Sequence, residues 1–165
     1  MKRHSKILGL VTLLLFGPSV PAANAGEVLK RSLKDAIVGS WSYVLVHDHY
    51  VDGDIDSDWG PGMRGNLIFD NDGRFSEIII GEARRELRSS DPRIPDALLA
   101  VAFGTYTVNE AERIIIARIE RSGLSGRDGT EVRWQATLRD NRLHLVAPLD
   151  HNRMSSQFIE VVRTK

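Results

Sequence analysis

Residues 47–65, HDHYVDGDIDSDWGPGMRG, gather the side chains of three sites in one stretch. Asp52, Asp54, Asp56 and Asp58 alternate as the oxygen ligands of a calcium loop do. Gly60, Gly62 and Gly65 have the G-x-G-x-x-G spacing of a dinucleotide-binding turn. His47 and His49, two apart on an extended chain, share a face and could begin a transition-metal site. Each chemistry requires a particular surrounding element, so the elements decide between them.

The dominant period of the chain is two. EVRWQATLR puts Val132, Trp134, Ala136 and Leu138 on one face and Glu131, Arg133, Gln135, Thr137 and Arg139 on the other, a strand with one dry and one wet side. RLHLVAP repeats the pattern, and Asp140-Asn141 between the two is a tight turn, which predicts an antiparallel hairpin. RGNLIFD and RFSEIIIG flank Asn71-Asp72-Gly73 in the same way. GSWSYVLVHDHYV, GTYTVNE, RIIIARIERS and SQFIEVVRT complete a set of about eight strands joined mainly by short polar turns. The expected fold is all-β, an antiparallel up-and-down β-barrel, because closure removes the exposed edges of a meander. Two helical segments are expected to interrupt it. One is a short N-terminal amphipathic helix over residues 27–37. The other is an insertion between strands, made of EARRELR and then DALLAVAFG, which Gly104 would cap and whose apolar half would cover one barrel end.

These elements exclude most of the opening chemistry. A dinucleotide turn must leave a strand and open a helix, whereas here the glycines lead into the strand NLIF. An EF-hand loop begun at Asp52 needs glycine sixth and glutamate twelfth, and finds Ser57 and Met63. Begun at Asp48 it places Gly53 correctly but sets Tyr50 and Trp59 at ligand positions. The two histidines gain no third ligand from spacing. The stretch therefore reads as a solvated acidic loop, with no metal, cofactor or catalytic residue assigned. SGLSGRDG does not complete a G-x-S-x-G elbow, since Arg127 stands at the last glycine.

The first residues have a separate logic. MKRHSK is basic, ILGLVTLLLF is apolar, and GPSVPAANA ends in the small-x-small pattern Ala23-Asn24-Ala25. This is the form of a secretory signal peptide, residues 1–25, followed by one domain over residues 26–165. The apolar run is too short for a membrane span, for which about 20 residues are needed. Cleavage would remove Lys2, Arg3 and Lys6 from a chain with 22 basic and 22 acidic residues, leaving a formal charge of −3. Such a domain has no electrostatic attraction for nucleic acid, and no stable membrane insertion is expected after cleavage. With no cysteine it has neither disulfides nor a lipid-modified terminus, which points to the periplasm or the medium.

The residues IVGSWSYVLVHDHYVDGDI, WGPGMRGNLIFDNDGRFSEIII and FGTYTVNEAE, in this order, resemble the bacterial lipocalin-like domain family over roughly residues 36–148. The resemblance implies a lipocalin-related barrel with a central cavity, and it supports a fold far more than a function. It assigns structural roles to Gly39 and Trp41, the tryptophan plugging one barrel end with Arg163 packed over it. Gly60, Arg64 and Gly65 match the family's loop, where the glycines permit the turn and Arg64 ties the loop to carbonyls or acids.

An eight-stranded barrel is just wide enough to be filled by its own side chains or to hold one small ligand. Tyr43, Phe69, Phe75, Tyr106, Trp134 and Phe158 are the candidate lining. Arg118 and Glu120 are the candidate polar end, provided that Ile114 and Ile116 face inward; if Ile115, Ala117 and Ile119 do so, both charges are external. A polar anchor matters, because burying ~300 Å² of apolar ligand is worth roughly 7 kcal/mol while association costs at least about 4 kcal/mol. The expected function is an exported protein holding a small apolar or amphipathic molecule, as carrier or sequestering agent. The alternatives are a cyclase- or isomerase-type barrel enzyme, with Arg118, Glu120 or Tyr106 polarising the substrate, and a filled barrel acting as an envelope interaction module.

Overall fold

The structure, a computed structural model, describes residues 31–57, 59–83, 97–151 and 154–164. The signal segment and EARRELR beyond Ala83 lie outside them, as do Asp58 and residues 27–30 of the expected first helix. A five-residue helix, α1 (Leu33–Ile37), precedes strands β1 (Gly39–Tyr50), β2 (Ile55–Asp56), β3 (Arg64–Phe69), β4 (Arg74–Ala83) and β5 (Ala97–Asn109). β6 (Ile114–Ser122), β7 (Glu131–Arg139), β8 (Arg142–His151) and β9 (Met154–Arg163) follow. The strands pair antiparallel in chain order from β3 to β9, β1 pairs with both β3 and β9, and β2 is a short ribbon on β1. Eight strands thus close into a barrel without edges, as the alternating pattern requires.

One expected element is different. DALLAVAFG is not a helix: from Ala97 onward it is the first half of β5, paired with β4 from Arg74↔Thr105 to Ile80↔Leu99. Its alternation is real but joins small to large apolar residues, with Ala100, Ala102 and Gly104 inside and Leu99 and Phe103 outside. An unbroken apolar run cannot be told from a helix by periodicity alone. Gly104 is likewise no helix cap. A Cβ there would stand 2.0 Å from the Arg118 carbonyl oxygen, so glycine is what lets β5 approach β6.

One barrel end is plugged. Trp41 is fully buried and donates its indole N–H to the Ile37 carbonyl at 2.7 Å. The Arg163 guanidinium lies 4.3 Å from the indole centroid and donates to the carbonyls of Val38 (2.9 Å) and Ala36 (2.5 Å). Gly39, at φ +129°, leaves the room, since a Cβ would meet Arg163 Nη1 at 2.7 Å. The short helix is held in place by its Ser32 cap, by buried Leu33 and Ile37, and by Glu110, whose carboxylate accepts from the amides of Leu33 and Lys34 at 2.8 Å each.

Above the plug the barrel is filled with rings. Phe69 packs edge-on against Tyr106 at 4.9 Å and against Trp134 at 6.5 Å, and Phe75 meets Trp134 at 6.1 Å. The Tyr106 hydroxyl leaves this cluster to donate to the Asp70 carbonyl at 2.7 Å. Leu67, Ile115, Leu143, Leu145 and Val161 complete a core in which they are wholly buried.

Candidate functional site

At the other end the filling stops. A cavity of about 680 Å³ opens above Trp134, walled by Ile79, Ala100, Val132, Ala147 and Ile159, with Trp59 and the loop residues Leu124–Arg127 at its mouth. That volume lies within the roughly 300–1,000 Å³ of small-molecule sites. The barrel is therefore neither wholly filled nor wholly hollow, and Trp134 is both roof of the ring cluster and floor of the cavity.

The polar groups of the cavity come from β1, β4, β7, β9 and the β6–β7 loop. Glu77 is on the inner face of β4, two residues from Phe75 and two from Ile79, so the pleat points it inward. Asp48 also faces in, although its parity with Trp41 and Tyr43 predicts the opposite. A bulge between Tyr43 and Leu45 in the β1–β9 pairing shifts the face, bringing Val46 and then Asp48 to the interior. Asp48 Oδ1 accepts from Gln157 Nε2 at 2.9 Å. Arg127 descends from the β6–β7 loop, and its charge acts on Glu77.

Glu77 is held from one side. The Tyr43 hydroxyl donates to its Oε2 at 3.1 Å, reaching across β3 over Gly65. A Cβ at Gly65 would lie 3.0 Å from the Tyr43 ring and 2.3 Å from the Ile78 carbonyl oxygen, so the absence of a side chain makes the path. Among the described residues Oε1 has no hydrogen-bond partner and no buried side-chain polar atom lacks one; Oε1 therefore opens onto the cavity. Burial raises the Glu77 carboxyl above its ordinary range, opposed by the nearby Arg127 charge and by the Tyr43 hydrogen bond. Burial and the Glu77 charge likewise raise the Tyr43 phenol.

The candidates from sequence scatter. Trp134 lines the cavity and Tyr43 touches it through Glu77. Phe69, Phe75 and Tyr106 lie below the floor, as core. Arg118, Glu120 and Phe158 are corrected to the outer wall. Ile115, Ala117 and Ile119 face in, Arg118 is exposed, and Glu120 pairs with Arg74 outside at 3.0 Å. Phe158 is outside because Ile159 and Val161 face in; its ring packs on His144 at 5.8 Å.

The opening stretch supplies a wall instead of a metal site. Gly60 (φ +70°) and Gly62 back onto Glu82, and the Glu82 amide donates to the Trp59 carbonyl at 2.8 Å, which sets Trp59 over the cavity. Arg64 donates to the Met63 carbonyl at 2.7 Å. Among the described residues no three His, Asp or Glu side chains gather as metal ligands, and no helix is long and apolar enough to cross a membrane.

Sequence alone missed Glu77, Asp48, Arg127 and Gln157. Glu77 was legible, since it shares the inward face of Phe75 in RFSEIIIG. Asp48 was not, because the bulge leaves no mark on the alternation.

Comparison with known proteins gives a family match and little else. The family described as a lipocalin-like domain matches residues 38–164. No curated protein matches the chain. Among solved structures a redesigned β-barrel is similar, at 16% identity and a TM-score of 0.44, over 82% of this chain and 100% of its own.

Proposed function

Because the chain belongs to the lipocalin-like domain family, whose match covers residues 38–164, we propose that it is an exported carrier or sequestering protein holding one small, mostly apolar molecule inside the barrel. The observation that carries this reading is the cavity of about 680 Å³ above Trp134, with apolar walls and a few converging polar groups. The ring cluster makes the floor rigid, and the β6–β7 loop narrows the mouth. Asp128 pins that loop, accepting from the Ser122 amide at 2.7 Å and from Arg121 at 2.8 Å.

Export rests on the basic, apolar and Ala23-Asn24-Ala25 sequence of the first residues. The periplasm or the medium is the proposed location, and intact mass of the natural product should begin at Gly26. Retained Met1 in a membrane fraction would remove this part of the reading.

Native mass spectrometry of the protein purified from its own host tests the binding role. A small-molecule adduct that leaves on gentle activation is expected. A bare polypeptide mass, with no uptake from an apolar and aromatic panel, would favour an envelope interaction module. A cyclase or isomerase draws support from Glu77, a partly buried acid facing the cavity; conversion of a bound compound that stops in Glu77→Gln would favour it.

A further inference from the structure

The polar groups inside the cavity are unequal in sign. Three carboxylates line it: Glu77 and Asp48 are fixed on strands by Tyr43 and Gln157, each keeping one oxygen without a hydrogen-bond partner among the described residues, and Glu131 is exposed at the rim. One cation, Arg127, sits on the loop at the mouth, half-buried and in reach of water. Two tryptophan faces, Trp134 below and Trp59 beside the mouth, line the same space. Carboxylate oxygens converging near aromatic faces suit a cation, since the ring quadrupole and the negative charge both attract it. An anion placed at the same depth would face both carboxylates.

From this juxtaposition, and resting on the cavity reading above, we infer that the barrel selects amphipathic amines: an ammonium group bonded to Glu77 Oε1, with Asp48 as the second carboxylate and the apolar body laid on Trp134. Tyr43 is a positioning residue. By holding Oε2 it leaves Oε1 aimed at the cavity, and Gly65 provides the passage for its ring. Burial disfavours the charge on Glu77, Arg127 and Tyr43 offset this in part, and an ammonium partner offsets it further on binding.

Three probes sharing one apolar body separate this inference from the reading beneath it. Decylamine, decan-1-ol and decanoate are titrated against the mature protein, followed by tryptophan emission, in the wild type, Glu77→Gln and Asp48→Asn. Decylamine should bind at least about tenfold more tightly than decan-1-ol, the size expected of one charge-assisted hydrogen bond in a dry site. Glu77→Gln should abolish most of that advantage of decylamine over decan-1-ol, and Asp48→Asn should reduce it partly, which keeps the test available if the first variant folds poorly. Decanoate binding best would assign the anchor to Arg127 and overturn the inference while keeping the cavity. A decylamine advantage that persists in both variants would place the amine on the acidic surface and overturn it equally. Failure of all three probes would remove the cavity reading itself.

Discussion

Glu77 is where the sequence, the fold and the chemistry meet most closely. In the unfolded chain its carboxyl titrates near 4.5, and in the folded barrel burial raises it. The folded state then holds the proton more tightly, so its contribution to stability is complete below about pH 4.5 and is lost as pH rises through the folded value. Glu77→Gln has no such loss. Urea unfolding at low and neutral pH should therefore show the variant gaining on the wild type as pH rises; a constant difference would mean that burial leaves this carboxyl unperturbed. Gly65→Ala is the matching steric test. Its methyl group would meet the Ile78 carbonyl at 2.3 Å and the Tyr43 ring at 3.0 Å, and the first of these is backbone that cannot swing away. A loss of about 3 kcal/mol in unfolding free energy is expected, as for other overpacked interior sites. At this scale the sequence was informative wherever alternation is regular: Trp41, Phe69, Phe75 and Trp134 all face in as the pattern implies. It was silent on Arg118 and Glu120, because Ile114, Ile115 and Ile116 offer apolar residues to both faces and leave the register undecided.

The elements follow the same division. Polar-apolar strands such as β7 and tight turns such as Asp140-Asn141, where Asp140 takes φ +47°, were legible from residue types. β5 was hidden because its inner residues are small and its outer ones are large, a pattern that serves close strand packing as well as it would serve a helix face. The β6–β7 loop was passed over as a failed hydrolase motif, yet it brings Leu124 to Arg127 over the cavity. Its fixed point is Asp128, paired with Arg121 and not among the residues lining the cavity. Asp128→Ala should loosen this cover without emptying the core. Stopped-flow displacement of a bound probe should speed up while the unfolding midpoint hardly moves; unchanged release would mean that the loop does not govern access.

For the molecule as a whole, the important feature is the change from filled to hollow along one barrel axis. Trp41, Arg163 and α1 close one end, and the rings of Phe69, Phe75, Tyr106 and Trp134 fill the middle. The space left above Trp134 is enough for a small ligand and too little for a channel. Stability should depend on the lower half and binding on the upper. Arg163→Ala, which removes the ring contact and two carbonyl bonds, should cost about 3 kcal/mol of stability with little change in affinity. The reverse separation is the most direct test of the cavity. Ala100, buried in its wall, is replaced by phenylalanine to fill the space, and decan-1-ol is titrated against both proteins by tryptophan emission. The expected result is saturable quenching in the wild type, weakened at least about tenfold in a variant that remains as stable. Equal affinity in the two proteins would show that the apolar ligand sits elsewhere, and that the space above Trp134 is not the binding site.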